Sequence, residues 1–274
     1  MFSVLAGALC VGCASDHVRI VELKDVTPPP APKVHVAQIA SPAAAEDRPA
    51  APAALVRNAM LGRSVRGVPL MVEIFGEGPD VVFIFGGIHG NEPIGTALLH
   101  RLAEWLRTNP ELYAGRTVGL LDAANPDGLA SATRGNALGV DLNRNFPARN
   151  WRAVHGERSS GAGSAPASEP ETRAIMYALE LLQPNRILSL HSITRGRQCD
   201  NFDGPAEDLA RRMAAHNAYP VRANIGYPTP GSFGSWAGID RGLPTITLEL
   251  PSDVADDDAW RTNRDALLAF IRGG

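Results

Sequence analysis

Apolar side chains follow two periods along this chain. The run V-V-F-I-F at 81–85 is continuous and β-branched or aromatic, which predicts a strand covered on both faces. Pro93 stands at a helix start, with Ile94, Leu98, Leu102, Trp105 and Leu106 behind it at helical spacing. T-V-G-L-L at 117–121 predicts a second strand, R-I-L-S-L-H at 186–191 a third and T-I-T-L-E-L at 245–250 a fourth. Ser168 and Glu171 have capping-box spacing, with Pro170 in the first turn of a helix expected to run through Leu182. A last helix is expected from the acidic start Asp256–Asp258 through Trp260, Leu267, Leu268 and Ile271. This order predicts an α/β fold over 56–274, with a mixed, mostly parallel central sheet and helices on both faces.

The first 55 residues read differently. Residues 27–54 are dominated by Pro and Ala, with almost no large apolar side chain to bury, so 14–55 is expected to be a disordered, extended linker. The first 13 residues form a short apolar run ending in small residues and cysteine, resembling the end of a bacterial lipoprotein signal. Cys13 would then be the lipidated residue, tethering a periplasmic protein to a membrane. Two features speak against this: no Lys or Arg precedes the apolar run, and Cys10 stands where Leu is usual. A cytoplasmic chain with a mildly apolar terminus is the alternative.

Composition narrows the function. With 26 basic and 29 acidic side chains and a formal net charge of -3, nothing favours nucleic acid as a partner. No stretch reaches the roughly 18 apolar residues of a membrane-spanning helix. Of three cysteines only Cys199 lies in the body, which excludes a disulfide framework there and leaves a packed thiol as its simplest reading. Oligomeric state leaves no trace in the sequence.

Polar groups sit where the apolar strands end: His89 and Glu92, Asn125 and Asp127, His191, and Glu249. In open α/β sheets ligands bind beyond the carboxyl ends of strands, so these groups are expected to converge. His89 and Glu92 lie three apart in a loop where Gly86, Gly87 and Gly90 allow a sharp turn. With one distant His they make the three protein ligands of a catalytic zinc site. Alone, H-x-x-E also describes an ordinary surface loop, and a His at a strand end is commonly structural. Glu249 is more telling, because a carboxylate inside a buried apolar strand must pair, bind metal or titrate upward, and a general base near zinc needs the last. In D-L-N-R-N-F-P (141–147), Arg144 beside Asn143 suits a bidentate grip on a carboxylate or a plain salt bridge.

Taken in order over roughly 56–272, these segments resemble the zinc carboxypeptidase superfamily of the carboxypeptidase A type. The resemblance implies one zinc ion on His89, Glu92 and His191, with Glu249 as general acid/base. It implies that Arg134 polarises the scissile carbonyl, that Asn143 and Arg144 hold the substrate's free carboxylate, and that Tyr227, 22 residues before Glu249, closes over it. Within that superfamily, A-A-N-P-D-G, R-G-N-A-L-G-V-D-L-N-R-N-F-P, S-E-P-E-T and Y-P-T-P-G-S-F-G-S-W resemble the bacterial murein peptide amidases. These hydrolyse the bond between γ-D-glutamate and meso-diaminopimelate in murein-derived peptides. A general metallocarboxypeptidase and a small-molecule deacylase share the fold and the metal. A lipid-tethered protein that binds murein peptides without cleaving them is the alternative of another class.

Overall fold

The computed structural model describes residues 55–153 and 161–273, so the expectations for 1–13, for Cys10 and Cys13, and for all of the linker but Leu55 lie outside the described residues. Eight strands form one sheet: β1 (Val56–Arg63), β2 (Pro69–Gly76), β3 (Asp80–Phe85), β4 (Arg116–Leu121), β5 (Arg186–Ile193), β6 (Cys199–Asp203), β7 (Val221–Arg222) and β8 (Thr245–Pro251). Their order is β1-β2-β4-β3-β5-β8-β6-β7. The centre, β4-β3-β5-β8, is parallel throughout, while β1, β2 and β6 add antiparallel pairings at the flanks. The sheet is mixed, as the alternation of apolar segments predicts.

Side chains alternate across the parallel strands and build two cores. Val82, Ile84, Leu188, Leu190, Ile246, Leu248 and Leu250 face α1 (Ile94–Thr108), α4 (Glu207–Asn217) and α5 (Asp256–Arg272). Phe83, Phe85 and Ile187 face α3 (Pro170–Leu182) and a π-helical segment, Gly234–Asp240. In α1 the buried stripe is Ile94, Leu98, Leu99, Leu102, Ala103 and Leu106, and each Leu contributes about 1.5–3 kcal/mol of burial. Pro110 stops this helix, and Asn109 Nδ2 donates to the freed carbonyl of Trp105 (2.8 Å). Among the described residues no helix is long and apolar enough to cross a membrane.

The start of α3 departs from the capping box that its spacing predicts. Ser168 Oγ donates to Glu169 Oε1 (2.7 Å) instead of capping the helix. The Glu171 carboxylate accepts from the backbone N–H of Val65 (2.9 Å) and from Asn136 Nδ2 (3.0 Å). Glu171 is fully buried, so tertiary donors win over the local one.

The chain runs from β3 to β4 on one side and from β5 to β8 on the other. The sheet therefore has a switch point between β3 and β5, where the crevice beyond the strand ends opens.

Candidate active site

Beyond β3 the chain turns through 86–92. Gly87 has φ +66°, a conformation that suits glycine. Gly90 serves close approach instead of the turn: a Cβ there would lie 1.9 Å from the carbonyl carbon of Gly128, in α2 (Pro126–Ser131). The Glu92 N–H donates to His89 O (3.1 Å), closing a turn that places both side chains at one point. On the neighbouring strands, the parallel register of β5 and β8 sets His191 directly beside Glu249. Odd positions of these strands, Ser189 and His191 with Thr247 and Glu249, share the face opposite Leu190 and Leu248.

His89, Glu92 and His191 present ligand atoms that all lie within 4.8 Å of one another. His89 Nδ1 is 2.9 Å from Glu92 Oε1, and His191 Nδ1 is 3.1 Å from Glu92 Oε2. Behind them, His89 Nε2 meets Asp141 Oδ1 at 2.9 Å, and the Ser192 N–H donates to Glu92 Oε2 at 3.0 Å. With a proton on Nε2 given to Asp141, His89 Nδ1 presents a lone pair to the metal side, and it has no hydrogen-bond partner despite being buried. Burial disfavours the charged ring, yet the Glu92 and Asp141 carboxylates outweigh it and raise its pKa to about 9. Glu92 is itself held well below the usual carboxylate range by the two imidazoles, against the effect of burial. The site demands a cation. Two imidazole nitrogens and one carboxylate fit zinc with an open fourth position, and are too nitrogen-rich for calcium or magnesium.

Arg134, Asn143, Arg144, Tyr227 and Glu249 line the same pocket as the three candidate ligands, so the eight residues to which the family resemblance gives roles meet there. Glu249 is buried, and burial, with Glu92 nearby, raises its pKa although both histidines oppose this. Arg134 donates through Nε to Asp141 Oδ2 (2.9 Å) and through Nη1 to Glu92 Oε1 (3.2 Å). Asn143 Oδ1 accepts from the Phe233 N–H (2.8 Å), which leaves its amide N–H groups as the free donors. Arg144 is buried, with Nη1 on its neighbour's carbonyl, Asn143 O (2.6 Å). Tyr227 is half exposed at the rim, its hydroxyl pKa raised by burial and by Glu249.

Two groups expected at this point are elsewhere. Asn125 caps α2, accepting from Gly128 N (2.9 Å), and its Nδ2 donates to Ile88 O (3.2 Å), bracing the loop from behind. Asp127 accepts from the Arg66 N–H (3.0 Å). Both side chains hold backbone groups.

A family model described as zinc carboxypeptidase matches residues 45–198. The chain belongs to the zinc carboxypeptidase family. As a member it is a zinc-dependent hydrolase, and the candidate metal site above is where its zinc fits. It is 34% identical over 226 residues to murein peptide amidase A of Escherichia coli (strain K12), covering 77% of this chain and 88% of that relative. Murein peptide amidase A of Vibrio campbellii is 33% identical, with 80% and 88% covered. A crystal structure of murein-tripeptide amidase from Escherichia coli O157 superposes with a TM-score of 0.64 at 30% identity, over 79% of this zinc carboxypeptidase and 92% of that chain.

The structure adds residues that the sequence did not single out. Asp141 is fully buried and touches His89, Arg134 and the Asn143 N–H together. Its signal was an acidic residue heading the Asn143-Arg144 run. Ser192, Ile193, Ile225 and Thr229 complete the pocket wall. Cys199 faces Glu249 across the β6–β8 ladder, and burial with that carboxylate pushes its thiol up to about 12, so it stays protonated and packs.

Proposed function

We propose that this zinc carboxypeptidase hydrolyses murein peptides, at the bond between γ-D-glutamate and meso-diaminopimelate. The observation that carries the reading is one pocket holding the His89–Glu92–His191 set, a buried Glu249 and the Asn143–Arg144 pair. The murein peptide amidase relatives, matched over 88% of their length, support the choice of substrate.

Zinc held there would supply Lewis-acid chemistry, polarising a carbonyl oxygen and bringing water's pKa toward neutrality. Glu249, kept basic by burial, takes the proton of the attacking water and later returns it to the departing amine. Arg134, oriented by Asp141, donates to the oxygen on which negative charge develops, a role worth about 2.7–4 kcal/mol per donor. Asn143 and Arg144 hold the carboxylate of the released residue, converting encounter into orientation. Tyr227 closes over the substrate and donates from its hydroxyl.

Mass spectrometry of products from diaminopimelate-containing murein peptides, with and without chelator, tests this. Release of free diaminopimelate that stops on chelation is expected. Equal turnover of ordinary L-peptides would replace the reading by a general carboxypeptidase.

A further inference from the structure

A γ-glutamyl bond leaves the glutamate's own α-carboxylate free, four bonds from the scissile carbonyl, or about 5 Å in an extended chain. Resting on the function proposed above, this means that the substrate brings a second anion on its acyl side. Arg144 and Asn143 are committed to the carboxylate of the leaving residue. With the metal set, Glu249, Arg134 and Tyr227 also assigned, the wall left for the acyl half is the end of β5 (Ser192, Ile193) and Ile225, with Thr229 beside the Ser232–Ser235 turn.

Arg197 is exposed at the rim of that wall, anchored to it through Ile225. It lies in the turn leaving β5, and its Nη2 donates to Ile225 O at 2.9 Å. Among the described residues this is its side chain's one hydrogen bond, so most of its five guanidinium donors are free. It has no carboxylate partner there, unlike Arg195 two residues earlier, which pairs with Asp253 (2.9 Å). A Cβ on Gly226 would come within 3.4 Å of Arg197 Nη2, so the strap carrying Tyr227 packs directly on this guanidinium.

We propose that Arg197 binds the free α-carboxylate of the γ-linked glutamate, making it a specificity residue for γ-glutamyl over ordinary peptide bonds. A planar fork anchored at one nitrogen offers its remaining N–H groups to a carboxylate with little further ordering.

The test compares two peptides in the zinc-loaded full chain: γ-D-glutamyl-diaminopimelate with the glutamate α-carboxylate free, and the same peptide with that group as a carboxamide. The wild type should favour the free acid in kcat/KM by roughly tenfold, the scale of one exposed charge-assisted contact. In Arg197→Ala the preference should collapse to near parity, in Arg197→Lys it should be partly kept, and in Arg197→Glu it should reverse. Arg222→Ala, which removes an exposed arginine of β7 paired with Asn201, should keep the preference. Zinc content and melting temperature establish that each variant is folded. If the wild type cleaves the two peptides equally, if Arg197→Ala keeps the preference, or if Arg222→Ala abolishes it equally, the inference is overturned while cleavage of the γ-glutamyl bond stands. If the wild type cleaves neither, the proposed function falls and this inference falls with it.

Discussion

Asp141→Asn separates charge from shape at the centre of the site. The side chain is fully buried and makes three contacts of 2.9 Å: to His89 Nε2, to Arg134 Nε and to the Asn143 N–H. An asparagine fills the same volume, and its oxygen can still accept from His89 and Asn143. Its Nδ2 would then point N–H groups at the Arg134 N–H, donor against donor. One charge-assisted bond worth about 1.5–3 kcal/mol is lost, and the imidazole loses the carboxylate that raises its basicity. Removing such a partner typically costs 10–100-fold in metal affinity, or about 1.4–2.8 kcal/mol.

The assay is zinc titration of chelator-stripped protein against a competing chromophoric chelator, with thermal melts to establish that the variant is folded. The zinc Kd should rise by that factor. Activity at saturating zinc should fall further, because Arg134 is no longer held toward the reacting carbonyl. A folded variant whose Kd stays within about two-fold of wild type, far short of the expected loss, would show that Asp141 does not govern the metal site.

Glu249→Gln should keep its zinc and lose about 10²–10⁴-fold in kcat, and retention of full hydrolysis in a zinc-loaded sample would remove Glu249 as the base. Arg144→Ala should lower kcat/KM on peptides with a free terminal carboxylate by about 10–100-fold, as expected for a hydrogen bond to a charged group. Equal losses on the corresponding peptide amides would mean that Arg144 acts through the fold. Asp200, fully buried, has one oxygen on Asn217 Nδ2 (3.2 Å) and the other without a partner, and burial raises its pKa from 3.8 to about 7. The unfolded chain ionises it first, so wild-type stability should fall as pH rises from about 4 to about 7, by up to about 4 kcal/mol. Asp200→Asn should therefore gain on wild type between about pH 4.5 and about pH 8 in urea melts, and a pH-independent difference would refute this.

Which parts of this molecule can be read from its sequence follows from where each residue's partners lie. β3, β5 and β8 are central and covered on both faces, so their sequences are near-continuous apolar runs and their limits are legible to within two residues. β6, C-D-N-F-D, is equally deep at its start but polar, because Asp200 and Asn201 find their surroundings only after β8, α4 and α5 assemble. Ser168 and Glu171 have the spacing of a cap, yet Glu171 is claimed by Val65, 106 positions away. Glu249 was conspicuous because its strand neighbours are apolar and nothing local could pair it. Asp141 was inconspicuous for the opposite reason. Beside Asn143 and Arg144 it looks like any loop carboxylate, and its meaning depends on His89, 52 residues earlier.

The pocket's charges explain why these residues form one set. Glu92, Asp141 and Glu249 bring three carboxylates within reach of two guanidiniums, Arg134 and Arg144, which leaves the buried group short of positive charge. The rise of His89 to about 9 is that deficit expressed as proton affinity. A divalent ion held by His89, Glu92 and His191 would answer it more fully than a proton can. With such an ion bound the balance would pass from about -1 to about +1, which would favour an anionic substrate. In the proposed mechanism Arg144 would hold its carboxylate beside Asp141, whose charge acts on it directly. One buried aspartate thus touches both parts of the proposed site, His89 on the metal side and the Asn143 N–H on the carboxylate side.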